Sequence, residues 1–198
     1  MLEQKMKETS TAPSMLSGGR PKPMPKPSFG DKFRRVLWAL VASTLFRYSP
    51  VPMHGVRALL LRIFGARIQG KVYVYPSTSI RSPWNLEMGP ESCLGPRVIC
   101  YNVGNVILGS CALVSQGAHL CGASHDFRVE GFPLLVGEIR IGANAWVAAD
   151  AFVGPGVQIG EGAVVGACSV VMRDVPCEAV FAGNPARQVG TRWNRDLE

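Results

Sequence analysis

From Ile141 onward, every sixth residue is a β-branched aliphatic: Ile141, Val147, Val153, Ile159, Val165 and Val171. The residue after each of the first five is Gly142, Ala148, Gly154, Gly160 or Gly166, and the fourth residue beyond each anchor is Ala145, Ala151, Val157, Ala163, Ser169 or Val175. Earlier stretches keep the same step: Ile68, Val74, Ile80, Leu86; then Met88, Leu94, Cys100; then Leu108, Val114, Leu120. The frame slips by two at Leu86/Met88 and again at Cys100/Leu108, while Leu120 and Ile141 stand 21 apart, which marks an insertion. A hexad of one inward aliphatic and small followers specifies a parallel β-helix. Each hexad makes one short side and a corner, three make a coil, and coils stack at the ~4.8 Å strand spacing. Small residues at the corners are expected to supply positive φ. Ordinary antiparallel strands would instead alternate with period two and close through hairpin turns. The pattern predicts a mainly β chain with about five coils over residues 67–176, interrupted by a loop at 122–138.

The rest of the chain is organised differently. Residues 1–70 carry twelve Lys/Arg against three Asp/Glu, whereas 71–198 carry nine against eleven, so the net charge of +7 belongs to the N-terminal part. Residues 1–28, with Arg20-Pro21-Lys22-Pro23-Met24-Pro25-Lys26-Pro27, read as a disordered or polyproline-like tail, and 177–198 as a C-terminal tail. Residues 29–66 read as a helical arm. One helix is expected from Asp31 to Phe46, stopped by Ser49-Pro50-Val51-Pro52; a second runs from Met53 to Phe64 with Val56, Leu59, Leu60 and Ile63 on one face. The apolar run Val36–Phe46 is far short of the roughly 20 residues that span a membrane. It suits a helix packed on the body or a neighbouring subunit, or one lying in a membrane interface between Lys32, Arg34, Arg35 and Arg47. No recognition helix or basic-aromatic sheet argues for nucleic acid. Residues 1–28 lack the apolar core of a secretory signal, so the expectation is a cytoplasmic protein whose arm can touch the inner membrane face. The six Cys form no C-x-x-C pair and have no His at zinc-ligand spacing; they read as buried thiols, and no metal is expected.

Several segments carry a resemblance: Ser82-Pro83-Trp84-Asn85-Leu86, Tyr101-Asn102, Ser115-Gln116-Gly117-Ala118-His119-Leu120-Cys121, Ser124-His125-Asp126-Phe127, Ala145-Trp146-Val147-Ala148-Ala149 and Ala182-Gly183-Asn184-Pro185-Ala186-Arg187. From about Trp38 to Val189 the chain resembles the hexapeptide-repeat acyltransferases. Within them it is similar to the maltose/galactoside O-acetyltransferase group and to the colanic acid biosynthesis acetyltransferases. The resemblance implies a left-handed β-helix, a homotrimer, acetyl-CoA as acyl donor, and a sugar or lipid-linked saccharide hydroxyl as acceptor in an exopolysaccharide pathway.

Acyl transfer from a thioester to a hydroxyl needs a base, donors for the oxyanion and a dry cleft. The chain has three His. His54 lies in the arm and His119 on a coil corner, and both read as structural. His125 stands where the hexad breaks and the chain leaves the prism, and the resemblance matches it to the family's catalytic His. Direct transfer needs no acyl-enzyme. Asp126, adjacent to His125, could orient it or bind substrate, but a backbone carbonyl could orient the ring equally well. The resemblance also assigns Asn102 to the acceptor. Ala148, Ala149, Gly166 and Ala167 offer a small-residue edge for the pantetheine arm, and Arg173 and Arg187 offer cations for the CoA phosphates. Trp146 could flank the donor groove or sit in a core or subunit seam. Two other readings are a non-catalytic β-helix scaffold and a metal-dependent hydratase of the γ-carbonic-anhydrase type.

Overall fold

The computed structural model describes residues 22–23 and 29–193. Three parallel sheets form the sides of a prism. The first stacks Arg67–Ile68, Leu86–Met88, Val106–Leu108, Ile139–Ile141 and Gln158–Ile159. The second stacks Tyr73–Val74, Cys93–Leu94, Leu113–Val114, Trp146–Val147, Val164–Val165 and Ala179–Ala182, and the third Ser79–Ile80, Ile99–Tyr101, His119–Cys121, Phe152–Val153 and Val170–Val171. This is the β-helix that the hexad predicts.

The anchors form inward columns. Val74, Leu94, Val114, Val147 and Val165 are buried, as are Met88, Leu108, Ile141 and Ile159 on the first side and Cys100, Leu120, Val153 and Val171 on the third. Each buried aliphatic side chain of this kind stabilises by about 1.5–3 kcal/mol, so the columns hold the prism together. The two-residue slips have a simple cause. In Leu86–Met88 and Val106–Leu108 both end residues point inward, so those corners take two more residues than the others.

The corners correct one expectation. Positive φ falls three residues after an anchor and sits mainly on non-glycine residues, among them Cys111, Asn144, Asp150 and Cys168. The glycines directly after the anchors are there for closeness between coils. A Cβ on Gly142 would lie 2.5 Å from the Glu161 backbone nitrogen, and one on Gly160 2.4 Å from that of Cys177. Stacked backbones leave no room for a side chain at those positions.

The arm consists of helix α1 (Phe29–Val41), a wider turn of helix over Ala42–Phe46, and helix α2 (His54–Ile63). Trp38 docks α1: its indole Nε1–H donates to the Ile80 carbonyl (2.7 Å), and its ring packs on Phe46 and Phe64. The buried side of α2 is not the predicted one. Arg57, Ala58 and Leu61 face inward; of the apolar face named from sequence, Leu60 packs against the core while Val56, Leu59 and Ile63 are exposed. The reason is Arg57, whose guanidinium ties the Ser49–Val51 turn to the Val74 carbonyl and turns the rest of the apolar stripe outward.

Both chain ends also depart from expectation. Lys22–Pro23, placed by sequence in a disordered tail, pairs as a strand with Leu135–Val136 of the insertion; residues 1–21 and 24–28 lie outside the described ones. Beyond residue 176 the chain continues the solenoid. Ala179–Ala182 extends the second side, and Arg187–Thr191 folds back antiparallel upon it to cap the last coil. The thiols differ too: Cys100 is buried and its pKa is pushed up to about 12 by burial, but Cys111, Cys168 and Cys177 are exposed.

Candidate active site

The insertion is a β-hairpin. Ala123–His125 pairs antiparallel with Leu134–Val136, so His125 lies opposite Leu134. Its neck is tightly held. Gly122 donates to the Tyr101 carbonyl, Gly137 donates to that of Gly122, and a Cβ on Gly137 would lie 2.3 Å from the Gly156 nitrogen of the next coil. His125 therefore stands outside the prism but on a rigid base, three residues from a clamped glycine. A side chain so placed keeps a fixed position relative to the prism.

The ring is oriented by the backbone. His125 Nδ1–H donates to the Phe132 carbonyl (2.6 Å), which fixes the ring orientation and leaves Nε2 free of that contact. Phe132 has φ 47° and follows Gly131 at φ 80°. This paired left-handed turn bends the hairpin tip back so that the carbonyl meets the ring. Sequence reading left the orienter open between Asp126 and a carbonyl, and the carbonyl holds it. Asp126 instead grips Arg128, with Arg128 Nε donating at 2.8 Å and Nη2 at 3.1 Å, and with the Arg128 backbone N–H on the same carboxylate. Those hydrogen bonds hold the Asp126 carboxyl below its usual pKa, so it stays an ionised brace of the turn.

Asn102 makes a structural contact within the prism. Its side chain is wholly buried, its Oδ1 accepts from the Ser82 N–H (2.9 Å), and its Nδ2 donates to the Ser82 carbonyl (2.6 Å). Asn85 Nδ2 in turn donates to the Asn102 and Val103 carbonyls. The buried amide stitches two coil corners together through one donor and one acceptor bond. The Ser-Pro-Trp-Asn segment belongs to the same corner ladder, and Trp84 carries the Arg34 guanidinium 3.9 Å from its ring centre.

The small-residue edge is where the spacing put it. Ala148 and Ala149 on one coil lie beside Gly166 and Ala167 on the next, joined by Ala148 N–H to Val165 O and Cys168 N–H to Ala149 O. A Cβ on Gly166 would meet that of Ala182 at 3.1 Å, and Ala182 pairs with Arg187, so this arginine belongs to the same edge. Arg173 does not; it follows Val171 at the other end of the third side. Trp146 is exposed on the outer row of the second side, with its Nε1–H on Ser115 Oγ (2.9 Å). His119 lies on the outer face of a strand and not on a corner. It packs edge-on against Phe152, where burial lowers its pKa.

One cavity of about 380 Å³ was not legible in the sequence. It lies between α1 and the third side and is lined by Arg35, Trp38, Ser79, Arg81, Ile99 and Tyr101 among others. Tyr101 O accepts from Gly122 N–H at the hairpin neck, so the cavity adjoins the root of the His125 strand.

The model for bacterial transferase hexapeptide (six repeats) matches residues 138–173. WcaF of Escherichia coli (strain K12), named as a colanic acid biosynthesis acetyltransferase, is 41% identical over 157 residues, which are 79% of this chain and 86% of that protein. The chain belongs to the hexapeptide-repeat acetyltransferases. The solved structure of a family member from Vibrio cholerae O1 biovar eltor, complexed with acetyl coenzyme A, superposes with TM-score 0.76 at 22% identity, covering 91% of this chain and 97% of that one. A galactoside acetyltransferase in complex with coenzyme A superposes at TM-score 0.74, also at 22% identity, covering 89% of each. Among the described residues of this hexapeptide-repeat chain, no three His, Cys, Asp or Glu side chains gather to hold a metal.

Proposed function

We propose that the protein is an acetyl-CoA-dependent O-acetyltransferase that acetylates a sugar hydroxyl in the assembly of a colanic-acid-like exopolysaccharide, with His125 as general base. The observation that carries the reading is the exposed His125 ring, fixed through Nδ1 on a backbone carbonyl. In the reaction the acceptor oxygen attacks the thioester carbonyl while Nε2 takes the hydroxyl proton. The C–O bond forms, the C–S bond breaks, and the proton passes to the departing sulfur to give free CoA. The edge formed by Ala148, Ala149, Gly166 and Ala167 suits a thin pantetheine arm, and Arg187 beside it suits a CoA phosphate. The named activity of WcaF and the ligands of the two solved relatives support this donor.

A homotrimer suits the outer surfaces. The first side mainly shows Arg67, Glu87, Arg140 and Gln158, with Ile107 among them, whereas the second shows Leu113, Trp146 and Val164, and the third Ile99, Phe152 and Val170 beside Ser79 and His119. Two apolar sides and one charged side let three prisms pack around an axis and still meet water. The decisive test is release of free thiol from acetyl-CoA against a panel of sugars and glycolipids. Thiol release that requires an acceptor is expected; the same rate with no sugar present would remove the reading.

The arm supports a membrane location. Phe33, Val36, Leu40 and Leu45 in the first helical stretch, and Val56, Leu59 and Ile63 on α2, are exposed beside the strongly basic segment. An anionic bilayer surface matches both the apolar row and the charge. The chain is expected to co-sediment with phosphatidylglycerol vesicles, less with phosphatidylcholine, and to lose this on Leu40→Asp with Leu59→Asp. Equal sedimentation of that variant, or a drop in oligomer size in place of lost lipid binding, would overturn the assignment.

A further inference from the structure

The cavity between α1 and the third side has a chemistry that the acetyl-transfer reading does not explain. Among the described residues, its charged lining is Arg35 and Arg81, with no acidic side chain. The Arg35 Nε is buried without a hydrogen-bond partner among the described residues. Arg81 enters none of the described ion pairs; its guanidinium rests 5.0 Å from the Tyr101 ring centre at the cavity wall. A buried cationic donor left without an acceptor is costly, and a second, exposed guanidinium facing the same space adds repulsion. The group that relieves both costs is an anion with several acceptor oxygens, which guanidinium forks bind in pairs. The remaining walls suit a saccharide. Tyr101 offers ring surface and Ser79 a hydroxyl, and the volume is in the usual range for a small-molecule site.

We infer that this cavity binds an anionic group, a carboxylate or a phosphate, carried by the acceptor saccharide, with Arg35 and Arg81 as its ligands. The inference rests on the acetyltransferase reading for the word acceptor, and it names the acceptor's class. The Tyr101–Gly122 hydrogen bond places the cavity at the root of the strand bearing His125, so a sugar held there by its charge can present a hydroxyl toward the hairpin.

Binding and transfer are measured separately on the full chain. Titration calorimetry with glucuronate, glucose 6-phosphate and glucose reads the cavity without any chemistry, and the two charged sugars separate carboxylate from phosphate. The charged sugars are expected to bind about 10- to 100-fold tighter than glucose. Arg81→Gln, at an exposed side chain whose loss leaves packing intact, and Arg35→Gln are each expected to erase most of that preference. Charged sugars that bind no tighter than glucose, or a preference that survives both substitutions, would overturn the inference. Thiol release with the same three sugars keeps the two ideas apart. Transfer that prefers neutral glucose sinks the anionic class alone, whereas anion binding with no acceptor-dependent release sinks the acetyltransferase reading.

Discussion

Replacing His125 by alanine is expected to lower acetyl transfer by about 10²–10⁴-fold, the usual contribution of a positioned general base. The loss should appear in kcat, because the ring is exposed on the hairpin and removing it takes away no packing. The hairpin itself should survive, since its neck is fixed by Gly122 and Gly137 and its turn by Asp126 and Arg128. A melting temperature near that of the unaltered chain would show that chemistry and not folding has been lost. His125→Gln sharpens the test: an amide can still donate to the Phe132 carbonyl but cannot take a proton at neutral pH, so it should be as inactive as alanine. If either variant keeps transfer within a few-fold of the original, the base is another group.

The fold was legible because a hexad repeat allows few alternatives. Once Ile141, Val147 and Val153 are set six apart and all buried, their columns follow from strand stacking alone. The exposed position of His125 was legible for a related reason: it sits where that regularity fails, and a break in a solenoid is a surface loop. What sequence could not give were contacts between residues far apart in the chain. The Phe132 carbonyl reaches the His125 ring because of two left-handed residues, and nothing in the letters Gly-Phe announces them. Asn102 reads as a polar residue free for a ligand until its amide is found bonded across coils to Ser82. The stripe of Val56, Leu59, Leu60 and Ile63 predicts a buried face, yet one arginine on the opposite side, tied to several backbone carbonyls, turns all of it but Leu60 outward. Periodicity counts apolar residues and cannot weigh a hydrogen-bonded cation against them.

That arginine is the basis of the second large effect. The Arg57 side chain is buried, and its Nε–H donates to the Val74 carbonyl (2.6 Å), Nη1 to Ser49 Oγ (2.7 Å) and the Pro50 carbonyl (2.8 Å), and Nη2 to the Val51 carbonyl. His54 Nδ1 adds a hydrogen bond to the same Val74 carbonyl (2.9 Å). Burial lowers the Arg57 pKa, but a guanidinium starts so high that it remains a full cation here. Hydrogen bonds from a charged donor contribute about 1.5–3 kcal/mol each, and Arg57→Met keeps the aliphatic volume while deleting all of them. If water replaces half, the loss is about 3–6 kcal/mol. The coils do not depend on this contact, whose partners all lie in the arm and at the first coil. The variant is therefore expected to keep its β signal in circular dichroism while the arm unfolds early and is cut by protease near Ser49–Pro52. Because α1 forms one wall of the arginine-lined cavity, charged-sugar binding should disappear together with the arm. Arg57→Lys should fail nearly as badly, since one ammonium cannot span a turn and a strand at once. A variant that melts and resists protease like the unaltered chain would mean that Trp38 and its ring contacts hold the arm without the clamp.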